Sequence, residues 1–279
     1  MLNTETYPVV LAEKDTYNTI GKKRQFAFLP PAVEFYSKLI RIVINSGNLA
    51  KQGKYGPVEW VKSSLDILNA LESVGVQFEI SGMSHLTSFE GPAVFVSNHM
   101  STLETVILPS IIQPRKEVTF VVKKELLDYP YFRNVLKARN PIVVGRANPR
   151  EDLVHVLEEG AKYLGSGRSI IIFPQKTRSN IFNPESFNTL GVKLAKKSDC
   201  YVVPVALVTD AWGNGKKIKD FGEINIKKTV HISLGEPFKV EGSGSSEHNK
   251  ILEFISAKLK QWNRADCIED TSSEKNERF

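Results

Sequence analysis

Cysteine is scarce in this chain. The two present, Cys200 and Cys267, stand far apart with no CxxC pair and no histidine cluster around them. That excludes a disulfide framework and a thiolate zinc site, and it fits a reducing compartment. Long hydrophobic runs are missing too: none approaches the ~18 residues a spanning helix needs, so the chain is expected not to cross a membrane. The opening Met1-Leu2-Asn3-Thr4-Glu5 lacks the basic and then apolar run of a secretory leader. There is no Gly-x-Ser-x-Gly elbow, no Walker A sequence, and Gly165-Ser166-Gly167 lacks the third glycine of a dinucleotide turn. A serine hydrolase, a P-loop enzyme and a dinucleotide enzyme are therefore unsupported. The histidines (His85, His99, His155, His231, His248) show no ligand spacing, so no metal is expected. No nucleic-acid module is recognisable, and nucleic acid is not expected as a partner. The net charge of +6 is mild and suits anionic lipid or phosphorylated substrates.

Hydrophobic content of 41% is enough for a substantial core. Residues 1–25 form a polar segment ending in Lys22-Lys23-Arg24. In residues 26–75, Phe35, Leu39, Ile42 and Val43 predict a helix that starts near Pro31 and stops at Gly47. A second helix is predicted from Pro57 to Leu71. This helical pair reads either as a core-facing element or as an in-plane membrane-docking element, since Phe26, Phe28 and the basic cluster flank it. Residues 76–262 alternate short strands with helices. Strands are expected at 77–81, 93–97, 119–122, 141–144, 169–173, 201–208 and 231–234, and helices at 103–112, 131–137, 150–164 and 190–197. The pattern predicts an α/β fold, a mostly parallel central sheet flanked by helices and preceded by the N-terminal helical pair. Glu241–Ser246 reads as a flexible link to a last helix at 247–262, and residues 263–279 as a disordered acidic tail.

Two segments carry chemistry. Val94-Phe95-Val96-Ser97-Asn98-His99 is an apolar strand that delivers an Asn-His pair to a turn. Ser101-Thr102-Leu103-Glu104 then has a capping-box pattern with Ser101 as N-cap. Glu104 reads either as a simple helix cap or as the partner that orients His99 as a general base, and the two can meet only if His99 lies in the turn before the helix. The second segment, Phe173-Pro174-Gln175-Lys176-Thr177-Arg178-Ser179, follows the strand Ile170-Ile171-Ile172 and offers Lys176, Thr177, Arg178 and Ser179 as an anion cradle. Arg146, just past the strand Ile142-Val143-Val144, is a further candidate. All three lie at the carboxyl ends of strands, where open α/β sheets bind ligands.

These blocks, together with Val202-Val203-Pro204-Val205, resemble in order the motifs of the PlsC-like glycerolipid acyltransferases over about residues 78–240. The resemblance implies transfer of a fatty acyl group from acyl-CoA or acyl-carrier protein to a lipid hydroxyl, without a cofactor. It casts His99 as base and Glu104 as its partner, with Asn98 and Gln175 in support. Arg146 and Arg178 would hold the acceptor's phosphate beside Lys176, Thr177 and Ser179. It also implies a peripheral position on the cytoplasmic face of a membrane, reached through the N-terminal helices. The chain departs from the family pattern where Glu104 replaces Asp, Gln175 replaces Glu and Lys176 replaces Gly, and the last two predict a remodelled acceptor pocket. A non-catalytic lipid binder on the same scaffold is the alternative, but it has no need of the His99–Glu104 pair.

Overall fold

The computed structural model describes residues 7, 11, 15–19, 28–129, 132–145 and 147–269. Its elements run β1 (Tyr17–Asn18), α1 (Pro31–Lys51), α2 (Pro57–Ser73), β2 (Gln77–Ser81), β3 (Ala93–Ser97), α3 (Leu103–Ile112), β4 (Val118–Lys123), α4 (Arg133–Ala138), β5 (Ile142–Val144), α5 (Pro149–Gly165), β6 (Ser169–Ile172), α6 (Leu190–Lys197), β7 (Tyr201–Val208), β8 (Thr229–Leu234) and α7 (Ser245–Gln261). The strands form one sheet in the order β1-β2-β8-β7-β3-β6-β4-β5. Only β1–β2 and β7–β8 pair antiparallel; the other neighbours are parallel.

Parallel strands are covered on both faces, so their side chains must be apolar on both. Side chains alternate across the sheet with period two. Phe95, Ile171, Val203, Val205 and Leu207 face one core with α1, α2 and α3. Val94, Val96, Ile170, Ile172 and Val202 face the other with α5, α6 and α7. On that second face α6 lies so close to β3 that a Cβ on Gly191 would stand 2.4 Å from a Val96 methyl. Glycine there lets the helix seat on the strand that carries the site.

Three expectations need correction. The N-terminal polar segment, for which no element was expected, adds an edge strand, with Tyr17 and Asn18 paired to Ile80 and Glu79. Gly47 does not end α1, which continues to Lys51. A glycine inside a helix costs only ~1 kcal/mol, whereas a stop needs a left-handed residue, and Gly53 supplies it at φ +70°. Residues 263–269 are docked rather than disordered. Arg264 makes two bonds to Asp210 (3.0 and 2.9 Å), Cys267 is buried, and Ile268 bridges to Phe182. Residues 270–279 lie outside the described residues, as do Lys22-Lys23-Arg24 and Phe26.

Candidate active site

The β3 strand lies mid-sheet between β7 and β6, so the turn at its carboxyl end is flanked by ordered backbone on both sides. Asn98 extends the ladder with its side chain: Nδ2 donates to the Leu207 carbonyl and Oδ1 accepts from the Leu207 amide, both at 2.9 Å. The main chain then leaves the sheet with His99 at the crest. The segment after β6 clamps the His99 backbone from both sides. The His99 amide donates to Gln175 Oε1 (2.6 Å), and the Ser179 amide donates to the His99 carbonyl (2.9 Å). Gln175 therefore keeps an oxygen acceptor where the family pattern has a glutamate.

The imidazole stacks on Phe173, with ring centroids 4.2 Å apart and planes 16° from parallel. Its Nδ1 lies 2.8 Å from Glu104 Oε1. Glu104 is completely buried, in the first turn of α3. Its Oε1 also accepts from the amides of Met100 (2.6 Å) and Ser101 (2.9 Å). Its Oε2 accepts from Thr209 Oγ1 (2.7 Å) and Ser101 Oγ (3.0 Å). Burial pushes the Glu104 pKa up, but the bonds from His99, Thr209 and the Ser101 amide outweigh it and hold the carboxyl below its usual value. A carboxylate held ionised accepts a hydrogen bond from Nδ1–H and leaves the Nε2 lone pair for the cavity that the ring lines. Cap and base partner are thus one carboxylate. The helix starts one residue later than the capping-box pattern suggested, with Thr102 as N-cap and Ser101 Oγ accepting from the Leu103 amide (3.1 Å).

The anion cradle comes out differently from its sequence reading. Lys176, Thr177 and Arg178 line the same cavity as His99. Arg178, however, is paired with Asp220 (2.7 Å), and both bond to the Thr102 hydroxyl. Thr177 Oγ1 accepts from Lys219 Nζ (3.2 Å). Ser179 is not among the residues that line the cavity; its hydroxyl accepts from the Ile181 amide (3.0 Å) and so shapes the turn. Arg146 lies outside the described residues. Sequence reasoning missed Thr209, Phe173 and Asp220. The only available signal was a single acid within the basic run Lys216-Lys217-Ile218-Lys219-Asp220.

From His99 a cavity of about 870 Å³ runs beneath α1 and α2. Its walls include Ile42, Trp60, Phe120, Val122, Phe132 and Leu136, while Lys176, Lys193 and Lys219 stand on its lining with Arg178. A base beside an apolar tunnel, with cations nearby, can deprotonate a hydroxyl while an alkyl chain is held out of water.

Residues 77–208 match the family model described as Acyltransferase. A 1-acyl-sn-glycerol-3-phosphate acyltransferase of Pseudomonas aeruginosa is 29% identical over 170 residues, 61% of this chain and 62% of that protein. The chain thus spans less than two thirds of that relative's length. A lyso-ornithine lipid O-acyltransferase of Brucella abortus is 33% identical over 123 residues, 42% of this chain and 44% of that one. In fold, the chain is similar to the crystal structure of the 1-acyl-sn-glycerophosphate acyltransferase PlsC from Thermotoga maritima. That likeness has a TM-score of 0.62 at 19% identity, covering 84% of this chain and 95% of the other. Through residues 77–208, this chain is thus similar to the acyltransferase family.

Proposed function

We propose that the chain moves a fatty acyl group from a thioester, acyl-CoA or acyl-carrier protein, to the hydroxyl of a lysophospholipid or related lipid. The observation that carries this reading is the His99–Glu104 pair, with the acid fully buried and the ring at the wall of an apolar cavity. Nε2 takes the acceptor's hydroxyl proton as the oxygen attacks the thioester carbonyl, and Glu104 stabilises the imidazolium that forms. Collapse of the tetrahedral intermediate expels the thiolate, which recovers the proton from His99. The relatives' names support this class of reaction.

Asp220 beside Arg178, with Lys176 and Lys219 close by, makes a mouth of both signs. That arrangement favours an acceptor whose headgroup also carries both signs over plain lysophosphatidate. The test is thiol release from long-chain acyl-CoA with lysophosphatidate, zwitterionic lysophospholipids and lyso-aminolipids as acceptors. Acceptor-dependent release, fastest with a zwitterion, is the expected result. Equal or faster use of lysophosphatidate would refute the selectivity. No release with any acceptor, from acyl-CoA or from acyl-carrier-protein thioesters run in parallel, while lipid still binds, would make the protein a lipid binder.

Docking to a membrane through α1 belongs to the same reading. Val33, Ile40 and Ile44 fall on one face of that helix and are about half exposed, and Phe28 before it is largely exposed. No helix among the described residues is long and apolar enough to cross a membrane. Replacing Ile40 and Ile44 with glutamate is expected to weaken co-sedimentation with phosphatidylglycerol vesicles by about tenfold or more. Thiol release from a short, water-soluble substrate pair should survive the change. Unchanged sedimentation would remove α1 as the docking face.

A further inference from the structure

The apolar cavity does not end on hydrocarbon. Arg139, at the C-terminal end of α4, lines it and is only 7% exposed. Its guanidinium carbon lies 4.7 Å from the centre of the Trp60 ring. Its Nε is buried without a hydrogen-bond partner, and none of its side-chain nitrogens has an acceptor among the described residues. The nearby acid, Glu117, reaches Arg168 at 3.6 Å, and Arg168 in turn donates to the Arg139 carbonyl (2.6 Å). Two buried cations therefore share one half-exposed acid.

The surrounding wall is polar. Ser46, Tyr55 and Ser64 are buried on the cavity lining, and the Tyr55 hydroxyl bonds to Ser63 (2.6 Å). Loss of water holds the Arg139 pKa below its usual value, and stacking on an aromatic ring recovers less than a buried guanidinium loses. This polar floor is far from the base. The Thr119 hydroxyl donates to the Arg139 carbonyl (3.1 Å), and register across β4, β6 and β3 sets Thr119 level with Ile170 and Val94. Val94 is five residues before His99, a distance of roughly 16 Å along a strand.

We propose that this floor binds an oxygen-bearing group, a carboxylate fitting best, at the far end of the acyl chain whose thioester sits at His99. The proposal rests on the acyl-transfer reading. A methyl-terminated chain leaves the guanidinium without a partner, whereas a terminal carboxylate can accept from it in the two-pronged manner that arginine favours and meet the Tyr55 and serine hydroxyls.

The test is calorimetric binding of CoA thioesters to the full chain, comparing ω-carboxyacyl with methyl-terminated acyl chains over a series of matched lengths. Wild type is expected to bind the ω-carboxy thioester about tenfold or more tightly at the length that reaches the floor. Arg139→Met should abolish the preference and Arg139→Lys should reduce it. Replacing a buried charge by an apolar chain of similar size is commonly tolerated. Should Arg139→Met fail to fold, Arg139→Lys and Tyr55→Phe carry the test, each expected to shrink the ratio. Equal binding of both thioesters by wild type, or an unchanged ratio in the variants, would overturn the proposal while leaving the transferase standing. Failure of both thioesters to bind at every length would overturn the CoA-donor reading and this proposal with it.

Discussion

His99→Ala is expected to lower acyl transfer by about 10²- to 10⁴-fold, the usual contribution of a positioned general base. The melting temperature should change little. Among the described residues the ring makes one hydrogen bond and one stack, at Glu104 and Phe173, and the side chain is 18% exposed. The turn itself is held by main-chain bonds to Gln175 and Ser179 that alanine retains. The measurement is kcat/KM for thiol release beside a thermal melt. A rate within threefold of wild type would remove His99 from the chemistry.

Glu104 carries the second large effect, and here activity and stability fall together. Glu104→Ala leaves two main-chain amides, the His99 Nδ1 proton and the hydroxyls of Ser101 and Thr209 without their acceptor inside a closed pocket. Each buried group left unpaired costs ~1–3 kcal/mol, and the hydroxyls can turn to other partners, so a loss on the order of 3–5 kcal/mol follows. Glu104→Gln separates the two roles. Its carbonyl can keep the Oε1 bonds while its amide faces hydroxyls that are able to accept. The charge that stabilises the imidazolium is gone, so the rate should drop at least ~100-fold while most of the fold survives. Urea melts add a check on sign. A carboxyl whose pKa is lower folded than unfolded stabilises the fold above its unfolded value, 4.5, and loses that contribution as pH falls through the folded value. The stability gap between wild type and Glu104→Gln should therefore be full at pH 7 and narrow below pH 4.5. A gap that stays constant into acid would mean that Glu104 is not ionised in the folded protein.

The sheet was legible in the sequence because parallel strands covered on both faces must be continuously apolar and bounded by polar turns. The strands at 77–81, 93–97 and 201–208 and the helices at 103–112 and 190–197 have the bounds their patterns suggested. The two-residue strand β1 was not legible, since two residues carry no periodicity and its pairing with β2 is non-local. The close approach of His99 and Glu104 was legible too: the residues are five apart and the helix start constrains them. The bond from Thr209 to the other Glu104 oxygen was not, because Thr209 is 105 residues away.

Sequence alone therefore determined the order of the elements after β1, the resemblance to a family's motifs and the pair of residues that meet locally. Tertiary structure decided that Ser179 serves the turn, that Arg178 has Asp220 beside it, and that an apolar cavity starts at His99 and reaches Arg139. The physical reason is range. Periodicity and capping act over a few residues and are written in the chain, whereas the partner of a charge and the far end of a cavity depend on segments brought together only when the sheet closes.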